Sequence, residues 1–157
     1  MNDLTAGQLS TVESSNVKGR LFMRWKYFLA WLPGVPIAIA NGSIRQFVYR
    51  SYLDELPAHQ LSAVSFILLF GLYVWFIIPW LKLTAKADAL RLGSLWLLLT
   101  IGFEFIFGHF VMGNPWPLLL HDYNIFAGRL WVVVLIWTAV APFVLYQVRI
   151  SIKAPQA

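Results

Sequence analysis

Four long apolar runs divide the chain, over about residues 27–44, 61–81, 89–112 and 125–148. A helix needs roughly 20 residues to cross the hydrocarbon core of a bilayer, so each run predicts one transmembrane span. The polar breaks between them are short, which makes consecutive spans antiparallel neighbours. The fold class predicted is an all-α membrane protein, with four antiparallel transmembrane helices in one bundle. Residues 1–26 read as a flexible basic cytoplasmic tail and 149–157 as a second one.

Local signals refine these spans. Pro33 and Pro36 interrupt the first, each removing a backbone donor, and predict a kinked helix packed against its neighbours. Ala38 and Gly42 form a small-xxx-small pair that permits close helix packing. The segment from Gln46 to Ala58 mixes Arg50, Asp54 and Glu55 with aromatics, an interfacial composition. Pro57 suits the first turn of a helix and would place His59 and Gln60 at the start of span two. Asp88 is a candidate cap for span three, and Asp122 or Asn124 for span four.

Composition supports the membrane assignment. The chain is 59% hydrophobic and 12% charged, against about 25% charged in soluble domains. The net charge of +5 falls too little in soluble segments to suggest nucleic acid. Cysteine is absent, which excludes disulfides and thiolate metal sites. Lys18, Arg20, Arg24 and Lys26 precede span one; Lys82, Lys86 and Arg91 lie between spans two and three; Arg149 and Lys153 follow span four. The other side has Arg45 and Arg50 alone, so nine basic residues face two. By the positive-inside rule both termini are cytoplasmic.

With that orientation the unusual polar residues gather on the outer side. Asn41 and Arg45 end span one, and His59 and Gln60 begin span two. Glu104 and His109 lie in the outer part of span three, and Asp122, Asn124 and Arg129 open span four. At 1.5 Å per residue, Glu104 lies roughly 13 Å below the outer end of its helix and Arg129 roughly 8 Å below. Matched depth predicts a structural Glu104–Arg129 ion pair, since either charge alone in hydrocarbon is costly. The functional reading makes Arg45, His59, Glu104, His109, Asp122, Asn124 and Arg129 a ligand-binding set. In it Arg45 and Arg129 grip an anionic head group, Glu104 and a histidine handle a proton, and Phe103, Phe105, Phe107 and Trp131 supply apolar walls. His59 and His109 sit at similar levels on helices two and three, as haem ligands would, but there is no second such pair. A metal site from Glu104, His109, His121 and Asp122 is disfavoured, because His109 stands about 140° around the helix from Glu104. No metal or cofactor is therefore assigned.

The motifs Asn41-Gly42-x-x-Arg45, His59-Gln60-Leu61, Phe103-Glu104-Phe105-x-Phe107-Gly108-His109 and Asp122-Tyr123-Asn124-x-x-x-Gly128-Arg129-Leu130-Trp131 resemble those of an uncharacterised family of small bacterial four-span inner-membrane proteins. The resemblance extends from about Tyr27 to Tyr146. It implies a multi-pass protein of the bacterial cytoplasmic membrane and brings no activity or ligand with it. The function expected is to bind or move an anionic amphiphile, or a small solute coupled to a proton. Two alternatives stay open: an accessory or assembly subunit of a membrane complex, and an intramembrane enzyme acting on lipid head groups. Partners would be membrane lipids, with a homodimer through Ala38 and Gly42 or a membrane-protein partner as further options.

The charge count generates a direct test. Reporter fusions after Lys86 and after Asn114 should report opposite sides, cytoplasmic for Lys86 and external for Asn114. The reverse signals would overturn the orientation.

Overall fold

Each of the four apolar runs is a helix in the computed structural model, which describes residues 25–153. Helix α1 spans Trp25–Tyr52, α2 Glu55–Leu81, α3 Lys86–Val111, α4 Trp116–His121 and α5 Trp131–Lys153. Among the described residues there are no strands. Helices α1, α2, α3 and α5 are long and apolar enough to cross a membrane, and at most 33% of each one's most apolar stretch is buried inside the chain. The remaining apolar surface needs hydrocarbon around it, as in a multi-pass membrane protein. Of the two expected tails, residues 1–24 and 154–157 lie outside the described residues. Residues 149–153 are not a tail but the last turn of α5.

The helix ends differ from expectation in informative ways. Helix α1 does not stop near Ile44. It continues through a π-helical turn, Arg45–Tyr49, and breaks only where Leu53 and Asp54 become extended. The residues read as an interfacial connection are therefore largely helical, and α2 begins at Glu55. Lys82, with φ of 51°, ends α2. Asp88 caps α3 from its first turn, where Oδ2 accepts from Thr84 Oγ1 at 2.9 Å and Ala85 N at 3.1 Å. The largest change is at α5, which starts at Trp131 rather than near residue 125. Asn124 caps only a 3-10 turn, Ile125–Ala127, and Gly128 at φ of 78° turns the chain before the helix starts. Asp122 closes α4 instead of capping α5.

The kink in α1 behaves as expected. Leu32 and Pro33 form a turn, and the helix resumes at Gly34. The turn before the break is docked by side-chain donors from two helices. Tyr73 Oη donates to Ala30 O, and Trp96 Nε1 to Tyr27 O at 2.8 Å. Trp31 Nε1 adds a bond to Thr100 Oγ1 at 3.1 Å. Beneath these lies an aromatic core in which Phe70 packs edge-on against Trp96 and stacks on Phe66. Thus α1 leans on α2 and α3, while α5 fills the groove between α2 and α3 on the other side.

The α3–α5 crossing is the tightest. A Cβ on Gly93 would stand 1.8 Å from the Ala139 carbonyl oxygen, so only glycine lets the backbones meet. Ala38 and Gly42 do not have that role within the chain. A Cβ added to Gly42 would meet nothing within 4 Å, and both residues line a cavity. Gly93→Ala should therefore lower the melting temperature in detergent, with an overpacking cost of about 1–3 kcal/mol. Gly102→Ala, at a position with open space around it, should not; equal melting of the two variants would contradict the crossing.

Candidate functional site

A cavity lies between α1, α2 and α3 at the end of the bundle that carries the α1–α2 connection. The cavity holds about 320 Å³ and is bounded by α1, α2, α3 and the start of α5. Ala38, Ile39, Phe66, Phe103 and Val134 make much of its wall apolar. Asn41, Arg45, His59, Glu104 and Asp122 gather polar groups in the same wall. Two of the lining residues, Ile39 on α1 and Met112 just past α3, are 50% and 63% exposed. They form a rim on the surface that would face lipid.

Both helices flanking this rim change winding there. In α1 the π turn begins at Arg45, and in α3 a second one covers Phe107–Val111. The Met112 N–H donates to Phe107 O at 2.9 Å, five residues back. Such bulges are rare inside α-helices and recur at functional sites. Each rotates the residues beyond it and shifts which side chains face the bundle. Leu119 of α4 then packs over Gly108 and closes the outer end.

Three consecutive residues before and at the start of α5 hold the site together. Arg129, 9% exposed, donates through Nη2 to Glu55 Oε1 at 2.6 Å and through Nη1 to Asp122 Oδ1 at 3.1 Å. Leu130 N–H donates to His59 Nε2 at 3.3 Å. Trp131 Nε1 donates to Glu104 Oε2 at 2.8 Å, and Tyr123 Oη donates to the same oxygen at 2.5 Å. Nearby, Gln60 Nε2 donates to Gly128 O at 3.1 Å, tying α2 to the same connection. Burial first, then the hydrogen bond and charge of Glu104, push the Tyr123 phenol above its ordinary pKa, so it stays a donor.

The expected Glu104–Arg129 pair is not formed. Counting depth along a helix from Asn124 fails because residues 124–130 are not part of α5. Arg129 instead turns to Glu55 and Asp122, and two neutral donors satisfy one oxygen of Glu104. Arg129 does not line the cavity, so its expected part in gripping a head group is replaced by a structural one. Its two carboxylates neutralise it.

The remaining expected ligands divide. Arg45, His59, Glu104 and Asp122 share the cavity. His109 does not line it: Nδ1 lies 2.9 Å from Asn114 O, and the ring stacks on Trp116 at 4.2 Å. Asn124 is occupied in capping, with Oδ1 accepting from Ala127 N at 3.2 Å. Phe105 stacks on Tyr123 rather than lining the wall. His59 and His109 therefore do not face a common ligand. Among the described residues no three His, Asp or Glu side chains cluster as a metal site would need.

Glu55, Tyr123, Asn41 and Ser62 were not singled out as site residues from the sequence alone, although Asn41 was noted at the outer end of span one. Asn41 Nδ2 donates to Ser62 Oγ at 2.8 Å and Ser62 O at 2.9 Å, clasping α1 to α2 beside the cavity. A signal for Glu55 was available. It is an outer-side carboxylate in the first turn of a helix, near the level where Arg129 enters.

Two charged groups in the cavity wall lack an ionic partner among the described residues. Arg45 Nη1 lies 3.1 Å from His59 Nδ1 and meets no carboxylate. Glu104 meets no cation, and no described side chain donates to its Oε1. A neutral imidazole has one acceptor nitrogen, and Leu130 N–H and Arg45 both approach the His59 ring. An arginine has five N–H donors, so most of those on Arg45 have no protein acceptor.

No family model matches the chain, and no curated protein or solved structure is significantly similar to it. What the site does has to be read from its own geometry.

A double-mutant cycle tests the rewired charges. Arg129→Gln and Asp122→Asn should be non-additive in detergent melting, with a coupling of about 0.5–3 kcal/mol. Arg129→Gln and Glu104→Gln should couple more weakly than that, because they share no ion-paired or hydrogen-bonded partner. Strong coupling in the second cycle would restore the pair expected from depth alone.

Proposed function

We propose that the protein is a multi-pass protein of the bacterial cytoplasmic membrane that binds an amphiphile with an anionic group from the outer leaflet. The single observation that carries this reading is Arg45. It lines an otherwise largely apolar cavity with its guanidinium short of acceptors, and the cavity rim includes the exposed side chains of Ile39 and Met112. A phosphate or carboxylate there would take two of the idle N–H groups in a bidentate, charge-assisted contact. The cavity volume is near the lower end of small-molecule sites, about 300–1,000 Å³. It suits a head group and the first carbons of its tails, with the remainder left in the bilayer.

An accessory-subunit role would be served by a sealed polar cluster facing a partner helix. The exposed rim at Ile39 and Met112 favours a ligand entering from the side. A head-group enzyme would need a base in contact with a nucleophile or water. Glu104 is the group with a free oxygen for it, but no nucleophilic side chain stands beside that oxygen among the described hydrogen bonds. Binding, with or without movement across the membrane, is the reading preferred. The positive-inside count supports the outer-leaflet placement.

Native mass spectrometry of the purified protein tests it. Arg45→Gln should lower retention of anionic amphiphile about tenfold or more, the worth of a charged hydrogen bond. Arg91→Gln, which removes a mostly exposed arginine paired with Asp88 at 3.5 Å, should leave retention unchanged. Equal retention by both variants would favour the accessory-subunit role.

A further inference from the structure

The cavity wall carries one unpartnered charge of each sign. Among the described residues, Arg45 is its cation without a carboxylate, and Glu104 is its carboxylate without a cation. The other ionic lining residue, Asp122, is paired with Arg129. A ligand with an anionic group alone would answer Arg45 and leave Glu104, in the same wall, without a cation. At membrane depth that uncompensated carboxylate would oppose binding.

We infer that the site selects a zwitterionic head group bearing a primary ammonium beside a phosphate, with the phosphate on Arg45 and the ammonium on Glu104. This rests on the amphiphile reading above and specifies its ligand class. The arrangement at Glu104 suits the role. Tyr123 Oη and Trp131 Nε1 both donate to Oε2 and fix the carboxylate plane from α5 and its approach. Oε1 is left as the acceptor. Trp131, Phe103 and Phe107 stand in the same wall, and beside such apolar rings an N–H donor from the ligand is worth more than at an open surface. Arg129 cannot substitute for the ligand's ammonium, because Glu55 and Asp122 hold it and it does not line the cavity.

Hydrogen-bond donation separates this from attraction of any cation. A primary ammonium donates N–H bonds to Oε1, whereas a quaternary ammonium has none to donate. The test uses the full chain, delipidated in detergent, with phospholipids of identical tails followed by native mass spectrometry. Phosphatidylethanolamine should be retained about tenfold over phosphatidylcholine, the worth of one charge-assisted hydrogen bond. It should also exceed phosphatidylglycerol. In an N-methylated series the main drop should come when the last N–H is lost. Glu104→Gln should abolish the preference for ethanolamine while phosphatidylglycerol is retained as well or better. The methylation series uses the unaltered protein, so the inference stands or falls even if the variant does not fold.

The failures are distinct. Retention of none of these lipids would overturn the amphiphile reading itself. Retention of phosphatidylglycerol equal to or above phosphatidylethanolamine, or equal retention of ethanolamine and choline forms, would overturn only the zwitterion. Water-soluble phosphoethanolamine, competing as well as the lipid, would keep the head-group chemistry and overturn the lipid as its source.

Discussion

The connection Arg129-Leu130-Trp131 carries the constraint on which the outer half of the protein depends. Chain entering a helix exposes backbone N–H groups without intrahelical partners, and an arginine here must also be neutralised before it is buried. Both demands are met by side chains from other elements: Glu55 and Asp122 take the guanidinium, and His59 takes the Leu130 N–H. The next residue, Trp131, then reaches Glu104 on α3. One short stretch thus fastens α5 to α2, to the α4 turn and to α3. Breaking it would strand several polar groups at once, in a region where water is a poor substitute.

That fastening divides the ionisable groups into two kinds. Arg129, Glu55 and Asp122 are consumed by the scaffold. Arg45 and Glu104 are held in place, one at a π turn beside an imidazole and one by two neutral donors, yet neither has an ionic partner among the described residues. The division follows from supply. The three outer groups lie close enough to satisfy one another, and α1 carries no acidic residue near Arg45 to do the same. The result is a cavity with a largely apolar lining and one charge of each sign without an ionic partner among the described residues. Small residues contribute in different ways: Gly93 brings two helices into contact, while Gly42 and Ala38 keep space open.

The packed inner half differs in character. Its hydrogen bonds come mainly from Trp and Tyr side chains to backbone carbonyls, as in Trp96 to Tyr27 O and Trp137 Nε1 to Ile67 O at 2.9 Å. These fix register between helices without introducing charge. They also lock the turn before the Pro33 break, so the kink in α1 is a built bend rather than a loose joint. The outer half of α1 lines the cavity beyond that bend.

Span number, helical class and antiparallel order were legible in the sequence because each depends on local quantities: run length, hydropathy and short connections. The outer clustering of Arg45, His59, Glu104 and Asp122 was legible for the same reason, since position along a span follows from counting residues. Partner choice was not. Arg129 was misplaced in depth because a 3-10 turn and a left-handed Gly128 delay α5 to Trp131, and nothing in the apolar pattern marks that delay. His109 was grouped with the site by level, yet it faces Asn114 and Trp116, because level says nothing about azimuth. The π turns that re-aim the ends of α1 and α3 leave the residue types unchanged and so leave no sequence signal. Which charges meet is a property of several helices converging at one end of the bundle, and only their packing decided that Glu55 would answer Arg129 while Glu104 and Arg45 would be left unanswered.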